Sequence, residues 1–340
     1  MRRYELWILQ TRTRRAFRAD ASANGCRMTL APYVRIVARG KGRARPLTEV
    51  EAEQAMGIIL SGDAAPEALG ALLMILRLRG ETDSEIAGFT AALRTSSLNM
   101  PRADLDWPCY AAGRTRGAPL FLLSAKLVAQ AGYKVALHGW NSHQGTAADP
   151  RTALSTLGLE GGGLSYYPLE TLSLPAFNVL RLRDTFGLRS CINTVLRMWN
   201  PSGARASVQG VFHPSYRGLQ SRAAALLGDQ NLTIIKGGGG EFERHPAKDT
   251  AIFGLRQGVE LNEMIPADIA TTRRLHEPEQ PIQLAALWNE PEDNNFAKAT
   301  VIGTAALALW TLDAAPTIEQ ASELASNLWK TRHQDKRRAG

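Results

Sequence analysis

Between Pro46 and Leu93 the chain reads as three helices in close succession, and this stretch limits the fold more than any other. Thr48 is placed to cap the first. Glu49 and Glu51 set negative charge at the positive end of its dipole, Ala52, Ala55, Met56 and Ile59 form an apolar stripe, and Gly62 closes it. Pro66 opens the second, with Leu69, Leu72, Leu73 and Leu76 inward and Arg77 and Arg79 near its end before Gly80. Thr82 starts the third, which runs to Leu93 with Glu85 at the capping-box position. Helices this short are marginal alone and bury their stripes against one another, so the region reads as a small all-α domain.

Beyond Pro101 the pattern changes. Lys126 to Ala131 reads as the end of a helix, Lys134-Val-Ala-Leu-His138 as a buried strand, and Pro150 to Leu157 as a helix stopped by Gly158. Ser207 to Phe212 and Leu232 to Ile235 read as strands flanking a helix from Ser215 to Leu227. Strands alternating with helices imply a mostly parallel sheet covered on both faces, so the fold class is α/β with a small all-α domain. The 340 residues, 44% hydrophobic and 21% charged, suit about two domains and exclude a disordered, collagen-like or disulfide-dense chain. No apolar run approaches the ~20 residues of a membrane-spanning helix. Cys26, Cys109 and Cys191 are odd in number and form no CxxC pair, which reads as three buried or partly buried thiols and a cytoplasmic protein.

The net charge of +8 is concentrated at the ends. Seven arginines against Glu5 and Asp20 leave residues 1–27 at +5, Lys330 to Gly340 carries +4, and the body between is near −1. A nucleic-acid argument must therefore rest on local clusters. Residues 1–27 read as a disordered tail or a mis-started leader, since Met28 opens what looks like a normal domain start.

The run Pro46 to Met56, Leu76-Arg-Leu-Arg-Gly-Glu-Thr82 and Ile86-Ala-Gly-Phe89 resemble the N-terminal helical domain of anthranilate phosphoribosyltransferases. Ala131-Gly-Tyr-Lys-Val-Ala-Leu-His-Gly139 is similar to that family's "AGVKVAKHG", and Gly187 to Pro201 to its "GIRTIFNLLGPLTNP". The resemblance spans roughly Arg35 to the C-terminus. It implies an anthranilate phosphoribosyltransferase / nucleoside phosphorylase-type fold and a homodimer formed through the helical domain. The implied division is a helical domain of 28–100, joined by about 175–205, with 101–174 and 206–340 forming the α/β domain.

The departures bear on function. The family's "GTGGD" loop binds pyrophosphate with backbone N–H groups, and the ungapped equivalent here is Cys109-Tyr110-Ala111-Ala112-Gly113. Its "NIST" falls on Pro119-Leu-Phe-Leu122, which has no polar side chain and, at the proline, no N–H. The paired "DE" that faces magnesium is reduced to Gly240-Glu241, leaving Glu241 as a remnant, and "KHGNRS" becomes Leu137-His138-Gly139-Trp140-Asn141-Ser142. Arg183 stands where the resemblance places the arginine that binds the anthranilate carboxylate, with Arg189 in the following block.

A retained scaffold with altered site elements is similar to a second branch, the YbiB-like paralogues, which the resemblance associates with sequence-nonspecific nucleic-acid binding. Ala38-Arg39-Gly40-Lys41-Gly42-Arg43-Ala44-Arg45 resembles their opening "GRGKxxAR". Phe212-His-Pro-Ser-Tyr216 and Lys236 to Pro246 are similar to their "SHPEY" and "HGTEGEVYANP". Arg35, Arg39, Lys41, Arg43 and Arg45 form an acid-free cationic stretch able to track phosphates, or else a solvated face. Arg114 and Arg116 occupy the old phosphate loop and suit either nucleic acid or a small phosphorylated ligand. Tyr110 and Trp140 lie beside these loops as stacking platforms, with a core or dimer-interface anchor as the plainer reading of Trp140. His138 reads as locally hydrogen-bonded, Gly237 to Gly240 as a hinge, and His213-Pro214 as a strand-to-helix turn.

The sequence therefore favours a homodimer, leaning non-enzymatic, that binds nucleic-acid backbone, single-stranded DNA first, through Arg39, Lys41, Arg43, Arg45, Arg114 and Arg116, with no cofactor and no membrane. The alternative is a pentosyl- or phosphoribosyltransferase with an unknown acceptor, using magnesium and phosphoribosyl pyrophosphate. Its ligand-binding residues would be Gly113, Arg114, Thr115, Arg116, His138, Gly139, Asn141 and Arg183. A pyrimidine nucleoside phosphorylase ranks third, because its phosphate motifs are absent.

Overall fold

A computed structural model describes residues 29–40, 42–96, 100–110, 118–140, 149–158, 161–270, 283–289 and 294–333. The capped helices form where the sequence placed them: α2 (Glu49–Ser61), α3 (Pro66–Arg79) and α4 (Asp83–Thr95), preceded by α1 (Ala31–Ala38). Thr48 and Thr82 each complete a reciprocal capping box, with Glu51 and Glu85. Glu85 does more than cap. Fully buried, it also accepts from the Leu47 N–H at 2.8 Å and from Arg79 Nη2 at 2.6 Å, fastening the start of α4 to the start of α2 and the end of α3.

The α/β part is a seven-stranded sheet in the order β3-β2-β1-β4-β5-β6-β7. Its strands are β1 (Leu105–Cys109), β2 (Val135–Gly139), β3 (Leu164–Pro168), β4 (Ala206–Val211), β5 (Asn231–Lys236), β6 (Thr250–Arg256) and β7 (Val259–Ile265). The first five in chain order are parallel, and β6 and β7 extend the edge as an antiparallel hairpin, so the fold is mixed α/β with a helical N-terminal layer. β1 pairs with β4 only over Leu105 and Asp106. Pro108, which has no N–H for a ladder, follows where the two strands part.

Two cores lie on opposite faces of the sheet. On one, α5 (Phe121–Gln130), α12 (Asn295–Thr311) and α13 (Ile318–Thr331) cover Trp107, Leu137, Val208 and Ile235. Trp107 is fully buried, stacked near Phe121 and edge-on to Phe242; burying an indole contributes at most about 4–6 kcal/mol. On the other face, α10 (Tyr216–Leu227) lies between the sheet and α1–α4, joined by α7 (Leu169–Leu172), α8 (Leu174–Phe186) and α9 (Ile192–Arg197). The short α6 (Pro150–Leu157) and α11 (Leu284–Asn289) complete the described elements.

Arg94 of α4 joins this helical layer to the rest. Its guanidinium forks onto Asp229 at 2.7 and 2.9 Å and donates to the carbonyls of Met198 and Trp199 at 2.8 and 3.1 Å. Cys109 and Cys191 are buried free thiols, as the sequence led us to expect. Among the described residues no helix is long and apolar enough to cross a membrane.

Candidate anion-binding site

Where the helical layer meets the carboxyl end of β4 and the amino end of α10, the chain forms an open-sided cavity of about 330 Å³. The end of α3 and the turn after it supply Arg77 and Glu81, the end of α8 supplies Arg183, and the α8–α9 connection supplies Arg189. Asn193 and Arg197 enter from α9, and His213, Tyr216 and Gln220 from the β4–α10 side. Four guanidinium groups therefore converge on one small volume that holds a single lining carboxylate.

Exposure falls across the four, from exposed Arg77 through half-buried Arg183 and Arg189 to Arg197, which is 5% exposed. Burial and repulsion from Arg183, Arg197 and Arg77 push Arg189 down to about 10. Burial also lowers Arg197, against the opposing pull of Glu241, Tyr110 and Cys109. Arg197 Nη1 donates to the Asn193 carbonyl at 3.0 Å, while Nη2 has no hydrogen-bond partner among the described residues. Glu81 accepts from the Tyr216 hydroxyl at 3.1 Å, and its own burial raises its pKa despite that bond and the nearby Arg77.

A buried polar chain runs from the cavity into the sheet. Gln220 donates to Gln209 at 2.7 Å, Gln209 lies 3.5 Å from Ser207 Oγ, and Ser207 donates to Asp106 Oδ2 at 3.0 Å. Asp106 Oδ1 sits 3.1 Å from His138 Nε2, whose Nδ1 is 2.9 Å from the Tyr110 hydroxyl. The Nδ1–Tyr110 pair is a hydrogen bond, whereas at this approach Asp106 Oδ1 and His138 Nε2 have no hydrogen-bond partner among the described residues.

These positions revise several expectations. The imidazole of His138 is fully buried and hydrogen-bonds locally, through Nδ1 with the Tyr110 hydroxyl. Gly139 serves packing, since a Cβ there would fall on the Cys109 carbonyl. Tyr110 is 1% exposed and offers no stacking face to a base. Trp140 is half-buried edge-on to Phe177 at 5.1 Å, a core anchor. Gly237 to Gly240 form a packed turn rather than a hinge, because a Cβ at Gly237 would meet the Glu241 carbonyl. His213-Pro214 does shape the turn into α10, through Tyr216 N–H to the His213 carbonyl and Arg217 N–H to the Pro214 carbonyl.

The cationic stretch is likewise not one flexible loop. Arg35 lies in α1, and Arg45 is held bidentately by Glu51 at 2.6 and 2.7 Å, which pulls the glutamate down to about 2. Arg35, Arg39 and Arg43 are exposed. Lys41, Gly113, Arg114, Thr115, Arg116, Asn141 and residues 1–27 lie outside the described residues. Arg183 lines the cavity, whereas Arg77, Glu81 and Arg197 do not stand out as site residues in the sequence. One signal was present for Arg197: the "GIRTIFNLLGPLTNP" pattern has proline at the place this chain fills with arginine.

Of the paired carboxylates that the resemblance assigns to magnesium, the sequence retains Glu241. Among the described residues no three His, Cys, Asp or Glu side chains gather as metal ligands. Glu241 is 1% exposed on a turn packed against Gly210, and its field already acts on the Arg197 guanidinium.

A helical bundle beside a parallel-sheet domain, with a cationic cavity at their junction, defines a glycosyltransferase-type scaffold. Residues 32–97 match the family model described as "Glycosyl transferase family, helical bundle domain". The chain is 28% identical over 312 residues to the anthranilate phosphoribosyltransferase of Rubrobacter xylanophilus, covering 84% of this chain and 90% of that one. With the enzyme of Rhizobium rhizogenes it shares 30% over 240 residues, covering 65% and 70%. The crystal structure of the Thermus thermophilus enzyme superposes with a TM-score of 0.68 at 22% identity, over 84% of this chain and 92% of that one. The chain belongs to the anthranilate phosphoribosyltransferase family.

Proposed function

We propose that the protein is a pentosyl- or phosphoribosyl-transferring enzyme whose small anionic acceptor is held in the arginine cavity. The observation that carries this reading is the convergence of Arg77, Arg183, Arg189 and Arg197 on one cavity. Guanidinium forks bind carboxylate and phosphate bidentately, and in a half-buried setting such bonds gain strength. The relatives are named for phosphoribosyl transfer to anthranilate, which supports the same reaction class here. In that reaction the bond from the donor's anomeric carbon to oxygen breaks with its electron pair leaving on pyrophosphate, a new bond forms from the acceptor to that carbon, and the acceptor's proton needs a base. Glu81, the cavity's carboxylate, is the candidate for that role.

The test is pyrophosphate release from phosphoribosyl pyrophosphate over a panel of aromatic and aliphatic carboxylate acceptors, anthranilate first, with and without magnesium. Release that depends on an acceptor and drops on Arg183→Gln supports the reading. A folded protein that turns over no acceptor in either condition refutes it.

A second reading, nucleic-acid backbone binding by this scaffold, draws on Arg35, Arg39 and Arg43. All three are exposed and make no ion pair among the described residues. Anisotropy of a labelled single strand across a salt series tests it. Binding that weakens steeply with salt supports it, and no binding at low salt refutes it.

A further inference from the structure

We infer that the arginine cavity is a metal-independent site for a small, multiply charged anion, with the buried guanidinium of Arg197 taking the part a divalent cation would otherwise play. That this anion is the acceptor rests on the transferase reading above; that the cavity binds it rests on the geometry alone.

The first ground is charge count. Among the described residues four guanidinium groups line the cavity against one lining carboxylate, Glu81, which accepts from Tyr216, while Asp184 lies 3.9 Å from Arg183. One carboxylate or phosphate engages about two guanidinium forks at most, so four guanidinium groups suit a ligand with more than one anionic group better than a singly charged one. The downward push on Arg189 from its three neighbours reflects the same excess of positive charge.

The second ground is Arg197 itself. It is 5% exposed, it lines the cavity, and one face of its fork has no hydrogen-bond partner among the described residues. An unmet buried guanidinium N–H is costly, so its persistence points to a ligand that reaches the inner end of the cavity. Glu241 favours the charged form of this arginine.

The third ground is that Glu241, the carboxylate the resemblance assigns to a metal, is 1% exposed and acts on the Arg197 guanidinium. Phosphate and carboxylate oxygens present the same geometry to a guanidinium, so the ligand class is a molecule carrying two or more of either group. A volume of about 330 Å³ accommodates a small metabolite of this kind.

The experiment is calorimetric titration of the full chain in EDTA with inorganic pyrophosphate, citrate and, as a singly charged control, benzoate. Pyrophosphate or citrate should bind roughly ten- to hundredfold more tightly than benzoate, and whichever binds better tells phosphate from carboxylate. Excess Mg²⁺ should not tighten binding. Arg197→Met should weaken the better ligand by roughly tenfold or more, with Arg197→Lys recovering part. If Arg197→Met does not fold, Arg189→Gln and Arg183→Gln are read instead. Loss of affinity in both supports the proposal, and affinity unchanged in both overturns it.

No binding of either polyanion in EDTA, binding that appears only with Mg²⁺, or a folded Arg197→Met with full affinity would each overturn it. Anion binding without pyrophosphate release from any acceptor refutes the transferase reading and leaves this one standing. Acceptor-dependent release with no polyanion bound in EDTA does the reverse.

Discussion

Replacing Arg94 with methionine keeps most of its aliphatic stem and removes four polar contacts at once. Two are donations to the carbonyls of Met198 and Trp199, whose residues are 0% and 1% exposed, so each carbonyl is left in a dry environment. Hydrogen bonds from a charged donor contribute about 1.5–3 kcal/mol each, and an orphaned buried acceptor loses most of that. The other two form the fork onto Asp229. With side chains 24% and 21% exposed, that pair is discounted toward the surface range of about 1 kcal/mol. Allowing for non-additivity within one side chain, Arg94→Met should cost about 3–4 kcal/mol. Total stability is typically about 5–15 kcal/mol.

Urea unfolding is the assay. With a slope near 3 kcal/mol/M, the midpoint should fall by roughly 1 M without a change in slope. Asp229→Ala removes only the ion pair and should cost about 1 kcal/mol, and a double-mutant cycle should return a coupling of that size. Arg94→Lys retains the charge but cannot fork onto two carbonyls and a carboxylate, so it should recover less than half. If Arg94→Met matches Asp229→Ala, the carbonyl contacts carry nothing and the account of how the helical layer is fastened fails.

Glu85→Gln keeps shape but removes the charge that receives Arg79, the Leu47 N–H and the capping bond; it should cost about 3 kcal/mol in the same assay, and a loss under ~1 would contradict the bonding described. Glu81 is held above its ordinary 4.5, so its contribution to stability is fully present below that value and is lost as pH rises through the raised one. Protonation also removes negative charge from the cavity, so polyanion affinity should rise as pH falls through the same window, and Glu81→Gln should abolish both dependences in paired calorimetric and unfolding series. If oligonucleotides bind, charge reversal at Arg39 or Arg43 should lower the slope of log affinity against log salt by about 0.7, whereas Arg45→Ala, whose guanidinium is committed to Glu51, should leave it unchanged.

The parts legible in the sequence were those whose cause is local. Thr48, Thr82, Glu85, Pro66 and Gly62 each act within a few residues, and the helices they bound appear where they predict. The strands at 135–139, 206–211 and 231–236 were readable for the same reason, as short apolar runs between turns. α1 escaped because Arg35 and its basic neighbours read as solvated loop, although Pro32 is a helix-opening residue. The cavity had no local cause at all. Arg77 and Arg189 meet only because α8 and α9 fold back onto the N-terminal helices, and Asp106 faces His138 only through the register of β1 on β2.

The same distinction bears on how a phosphoribosyltransferase scaffold can change its chemistry. A glycine-rich anion loop is a local device, and its loss between Cys109 and Gly113 is visible in one line of sequence. A side-chain site is a distributed device. Arg197 replaces the motif's proline inside a helix that already borders the cavity, and its guanidinium falls within the field of Glu241, 44 residues on in the chain. That residue thus adds a positive charge within the field of Glu241. On the metal-independent reading the two changes are linked: a fixed positive charge in the field of Glu241 lessens what a divalent ion gains from that carboxylate, and the anion is held by guanidinium forks instead.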